Sequence, residues 1–162
     1  QVYLAQHQPS DAIDVSTYIH NLLARLELSE SELVTLKNFY SHEIEQLAAA
    51  TVPRIPQHGD FTLDNIVIGA TGVQIYDCER FGLLDLAGYD VWQLLLRWSK
   101  YDQKLNTSAQ LQHFFDQLQR PQAVSPQLFF AYVLIEFMLK KPALDEPIIA
   151  SSIIARYQAI VS

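Results

Sequence analysis

Cysteine is all but absent. Cys78 is the only one in 162 residues, and a single thiol makes neither an internal disulfide nor a cysteine-ligated zinc site. Glycine is scarce and confined: the five lie at positions 59, 69, 72, 82 and 88, with none before or after that window. The turn-rich part is therefore the middle of the chain, and both flanks are expected to be helical. Basic charge is short as well. Eleven Lys and Arg stand against 18 Asp and Glu, a formal net charge of −7, which argues against a nucleic-acid partner. No apolar run reaches the roughly 18 residues of a membrane span. Residues 1–10 lack the charged start and apolar middle of a signal peptide. No membrane partner is expected, and a cytoplasmic location is.

Hydrophobic residues make up 49% of the chain, enough for a core and too many for a disordered tail. Ile13, Ile19, Leu22, Leu23 and Leu26 recur at helical spacing, with Asp11 or Asp14 as the cap. A second helix follows Ser29, which with Glu32 has the form of a capping box. Its stripe is Leu33, Leu36, Tyr40, Ile44 and Leu47, and it ends before Pro53 and Pro56. Glu30 and Glu32 are expected on its solvated face. Trp92 and Trp98 share a helix opened by Asp90, and a further helix is predicted over 109–118. Ser125-Pro126 introduces a buried helix over 127–139, closed by Lys140, Lys141 and Pro142. A last helix is predicted over 146–160. The organisation expected is a single domain over 1–162, mainly α with a small β-hairpin.

The hairpin is read from Ile66-Val67-Ile68 and Val73-Gln74-Ile75-Tyr76 on either side of Gly69-Ala70-Thr71-Gly72. Around it stands the informative stretch: His58-Gly59-Asp60-Phe61-Thr62-Leu63-Asp64-Asn65 before, and Asp77-Cys78-Glu79 after. An aspartate precedes an asparagine by five positions, and a second aspartate follows at the end of a β-run. Phosphoryl transfer asks for such a set. A carboxylate orients the attacking hydroxyl and accepts its proton, while hard oxygen ligands hold magnesium on the nucleotide phosphates. A hairpin brings Asn65 at its entry near Asp77 at its exit. Cys78, in an alternating run without a neighbouring histidine, is expected to pack, and Arg80 to be an ion-pair partner. His20, like the other histidines outside the motif, is read as a surface or core histidine and not a metal ligand.

From His58 through Asp90 the chain resembles the aminoglycoside phosphotransferase and choline kinase superfamily, relatives of the protein kinases. The resemblance implies the helical C-terminal lobe of a protein-kinase-like α+β fold. It implies an ATP- and Mg2+-dependent small-molecule kinase acting on a hydroxyl acceptor such as an aminoglycoside, choline or a sugar. By the same resemblance Asp60 is the catalytic base and His58 braces the catalytic loop. Asn65 and Asp77 bind the cofactor as magnesium ligands, Glu79 touches metal or substrate, and Asp90 supports the loop through its backbone. The chain departs from the family pattern in having Cys78 where an aromatic residue is common and Leu63 where proline is common. The interval from Asp85 to Asp90 is one residue longer than usual. A complete enzyme of this type also needs an N-terminal lobe with a phosphate-covering glycine loop and a lysine. No glycine precedes residue 59, and Lys37 is the only earlier lysine. That lobe is therefore expected to be missing from this chain, in agreement with its start at Gln1, and the chain alone to be inactive.

Two other readings stand beside this one. A kinase-like binding or regulatory module without an ATP clamp would keep the lobe and lose the chemistry. A metal-dependent hydrolase would use Asp60, Asp77, Glu79 and His58, but such sites collect further histidines, and after Asp90 there is only His113.

Overall fold

The computed structural model describes residues 12–47, 51–70, 72–101, 128–141 and 147–161. These residues are mainly helical, with four short strands. In chain order they are β1 (Ala12–Asp14), α1 (Val15–Arg25), α2 (Glu30–Leu47), β2 (Thr51–Pro53), β3 (Ile66–Gly69), β4 (Gly72–Ile75), α3 (Tyr89–Tyr101), α4 (Phe129–Lys140) and α5 (Ala150–Val161). The helix predicted over 109–118 lies outside the described residues, as do the side chains of Ile44, Leu47 and Trp98. Strands β1 and β2 carry no sequence signal, being three residues each.

Two compact units result, interleaved in sequence: one from 13–51 with 126–162, the other from 52–125 with the first twelve residues. The first unit is helical. Helix α1 starts where Asp14 accepts a hydrogen bond from Thr17 N at 3.1 Å, a side-chain cap for an amide without a partner inside the helix. Its Val15, Ile19, Leu22 and Leu23 are buried and pack on α4. Helix α4 is buried on every side through Ile135, with Leu128 to Ile135 each at most 2% exposed. It meets α1 and α5, and α2 meets α5. Tyr40 of α2 stacks on Phe130, with Tyr157 edge-on to both rings. At about 1.5–3 kcal/mol per large apolar side chain removed from water, α4 dominates this core.

Two helix starts differ from expectation. Ser29 Oγ accepts from Glu32 N at 3.3 Å, half of a capping box. The Glu32 carboxylate does not close the other half. It accepts the N–H of Ala150, so it is not merely solvated. The last helix accordingly begins at Ala150, after 147–149 outside any regular element, and not at 146. Its first amide is satisfied by a side chain from another helix, which local sequence does not reveal.

The second unit carries the glycines. Residues 54–57 run antiparallel to 82–86: Arg54 bridges Leu86, Ile55 N donates to Asp85 O at 2.8 Å, and Gln57 N to Leu84 O at 2.9 Å. Leu84, Leu86, Ala87, Tyr89, Trp92 and Leu95 are buried. Strands β3 and β4 pair antiparallel, Ile66 with Ile75 through Gly69 with Gly72, which leaves the two-residue connection 70–71 that the sequence implies.

Candidate active site

The segment His58–Phe61 connects the strand-like 54–57 to the hairpin, and side chains hold its amides. His58 N donates to Asp90 Oδ2 at 2.6 Å and Gly59 N to Asp90 Oδ1 at 2.9 Å. Phe61 N donates to Gln93 Oε1 at 2.8 Å. Asp60 N lies 3.4 Å from His58 Nδ1, and His58 Nε2 lies 2.8 Å from Tyr76 O. A carbonyl only accepts, so Nε2 bears the proton and Nδ1 is the acceptor. One imidazole therefore bridges the amide of Asp60 and the residue immediately before Asp77.

The hairpin entry is tied to the same segment. Asn65 Nδ2 donates to Asp60 O at 2.9 Å, and Tyr76 N donates to Asn65 O at 2.9 Å. Asn65 sits on the short turn Leu63–Asn65, and Asp77 directly precedes a second, Cys78–Arg80. Asp77 has φ 57 and ψ 58, left-handed backbone that costs an L-residue about 1–2 kcal/mol. Such strain recurs at functional positions. Gly59 has φ +82, and a Cβ there would come within 3.0 Å of Arg80 Cβ. A side chain at 59 would thus push the two segments apart.

Asp90, the second residue of α3, directs its carboxylate to the His58 and Gly59 amides. Its own N–H donates to Gln57 Oε1 at 3.1 Å. Burial pushes the Asp90 carboxyl above its usual range, although the His58 and Gly59 amides pull the other way. Asp60 and Asn65 are half-buried, while Asp77 and Glu79 are exposed. The structure gives Glu79 no hydrogen bond or ion pair with another described residue. Two expectations fail at the turn 78–80. Cys78 is exposed, because the turn ends the strand alternation on which packing was predicted. The ion pairs among the described residues are Arg54–Asp85, Lys140–Glu136, Lys141–Glu27 and Arg156–Glu136, and Arg80 has none. His20 is exposed, with Nδ1 2.8 Å from Ser16 O.

This loop, hairpin and bracing helix can be set against known proteins. The model of a phosphotransferase enzyme family matches residues 4–124. The chain belongs to the phosphotransferase enzyme family. The match extends well beyond the motif between His58 and Asp90, taking in α1 and α2. No curated protein and no solved structure matches the chain.

Phosphotransferases of this family typically use ATP and Mg2+, which the donor set can be asked to fit. Its members are oxygens: the Asn65 amide, whose nitrogen already donates to Asp60 O, and the Asp77 carboxylate. Hard oxygen donors suit magnesium. Among the described residues no three His, Cys, Asp or Glu side chains gather to hold a metal. Magnesium does not ask for that, since it takes one or two protein ligands and completes its shell with phosphate oxygens and water. The oxygen donors of Asn65 and Asp77 are of the chemical kind that such an ion takes.

Sequence reasoning missed Gln57 and Gln93. Gln57 is buried and also donates through Nε2 to Ile55 O at 2.8 Å. The one available signal was that Asp90 and Gln93 are three positions apart in a helix and share a face.

Proposed function

We propose that the chain supplies the catalytic loop and metal ligands for transfer of the γ-phosphoryl group of ATP to a hydroxyl of a small molecule, an aminoglycoside, choline, a sugar or a similar alcohol. In this reading Asp60 faces the acceptor hydroxyl and takes its proton. The acceptor oxygen bonds to the γ-phosphorus as the bond from that phosphorus to the bridging oxygen breaks, and ADP leaves. Magnesium, when bound with the nucleotide, neutralises charge on the phosphates. Asn65 and Asp77 would be its ligands, and Glu79 would meet metal or acceptor. His58 and Asp90 do no bond chemistry and keep the loop in shape.

The observation that carries this reading is the His58 bridge, inside a chain of the phosphotransferase family. It ties the amide of Asp60 to Tyr76 O, while Asn65 is bonded to Asp60 O. Asp60 and Asn65 thus belong to one hydrogen-bonded assembly, and Asp77 directly follows the residue whose carbonyl His58 holds. The test is ADP release from Mg2+–ATP by the complete gene product, over a panel of aminoglycosides, choline, ethanolamine and hexoses. Asp60→Ala is expected to lower turnover at least about 100-fold with nucleotide affinity kept. Equal turnover by that variant and the wild type would end the reading.

A further inference from the structure

The peptide unit between Asp60 and Phe61 is held at both ends by side-chain amides. Its carbonyl oxygen, Asp60 O, accepts from Asn65 Nδ2 at 2.9 Å. Its N–H, on Phe61, donates to Gln93 Oε1 at 2.8 Å. The Asp60 N–H is held far less firmly, at 3.4 Å from His58 Nδ1. The orientation of Asp60 therefore depends on the plane of the peptide that follows it. No backbone acceptor takes the N–H of any residue from His58 to Phe61 among the described residues. Nothing in the main chain would restore that plane if a side chain let go.

Gln93 is suited to this hold. It lies on α3 one turn beyond Asp90, on the same helix face. Asp90 grips the first two amides of the segment, and Gln93 grips the fourth. The grip needs an acceptor atom, because the Phe61 amide can only donate. The Asn65 contact at the other end ties the same peptide to a residue assigned to the metal.

We propose that Gln93 is a positioning residue for Asp60, acting by fixing the Asp60–Phe61 peptide plane through the Phe61 amide. This rests on the reading of Asp60 as the proton acceptor. Small displacements of a reacting group cost large factors in rate, on the order of 100-fold for about 1 Å. The hold therefore acts on turnover more than on substrate affinity.

The test uses the complete gene product with Mg2+–ATP and the best alcohol of the panel, and two variants. Gln93→Leu keeps shape and removes the acceptor, whereas Gln93→Glu keeps an acceptor oxygen. Gln93→Leu is expected to lower kcat about 10- to 100-fold, leave KM for ATP within about twofold, and speed amide exchange at Phe61 without changing it at Ile135. Gln93→Glu is expected to recover most of kcat. A kcat unchanged in Gln93→Leu, or a Gln93→Glu as slow as Gln93→Leu, overturns the proposal. So does Phe61 exchange that does not respond. If Asp60→Ala turns over like wild type, the phosphotransfer reading fails and the inference falls with it. In that event Phe61 exchange still reports separately whether Gln93 holds the loop.

Discussion

His58 Nε2 stands 2.8 Å from the carbonyl oxygen of Tyr76, joining the segment before the hairpin to the strand that leaves it. The imidazole is buried, and its other nitrogen faces the Asp60 amide. His58→Ala would leave a carbonyl and an amide without their partner. The expected cost is about 2–4 kcal/mol, read as a lower urea midpoint. Turnover should fall with it even where the variant is folded, because the loop carrying Asp60 and the strand end leading to Asp77 lose their shared tie.

Asp77 separates stability from function. Its left-handed backbone suits glycine better than any residue with a Cβ. Asp77→Gly should be as stable as wild type or more so by up to about 1 kcal/mol, and Asp77→Ala less stable than Asp77→Gly. Both variants lose a proposed magnesium ligand, so both should lose phosphotransfer. Thermal melts and ADP release on the same pair of proteins check this. Activity retained by Asp77→Gly would remove Asp77 from the metal site.

The carboxyl of Asp90 is raised above 3.8 by burial, with the His58 and Gly59 amides opposing. A carboxyl raised in the folded state contributes stability that is full below its unfolded value and is lost as pH rises through the folded one. Asp90→Asn offers one acceptor oxygen for two amides, so it should be destabilised by about 1–3 kcal/mol. Its deficit against wild type should be widest in acid and narrow as pH rises. Urea midpoints of the two proteins between about pH 4 and about pH 7 check the slope.

Glu136 gives the opposite sign. Burial pushes its carboxyl up, but the hydrogen bond from Lys140 and the charges of Arg156 and Lys140 outweigh burial and leave it below 4.5. Stability from a lowered carboxyl is present above the unfolded value and is lost as pH falls through the folded one. Glu136→Gln should cost about 1–2 kcal/mol near neutral pH. The gap to wild type should close as pH drops below 4.5, in the same urea series. A gap independent of pH would show that the ion pairs to Lys140 and Arg156 contribute nothing.

What the sequence made legible is what depends on near neighbours. The hairpin followed from alternation and from glycines at 69 and 72, and the start of α1 from Asp14 three residues before Thr17. What it hid depends on partners far along the chain. Glu32 looked like half of a capping box, yet its carboxylate meets Ala150. Gln57 and Gln93 looked like ordinary polar helix and loop residues, yet they bond to groups more than 30 positions away. Cys78 was misjudged because the left-handed residue before it turns the chain out of the strand. The motif could be recognised as a string, but the side chains that steady it could be seen only in three dimensions.

Helix α4 and helix α1 pack together although the motif segment separates them in the chain. As the polypeptide leaves the ribosome, α1 emerges first, and its Ile19 and Leu22 must wait in water for Phe129 to Ile135. A nascent chain halted just after the hairpin would carry every residue proposed for chemistry and still show a bare, sticky helical face. Ribosome stalling or premature termination in that interval is where this protein would call most on chaperones.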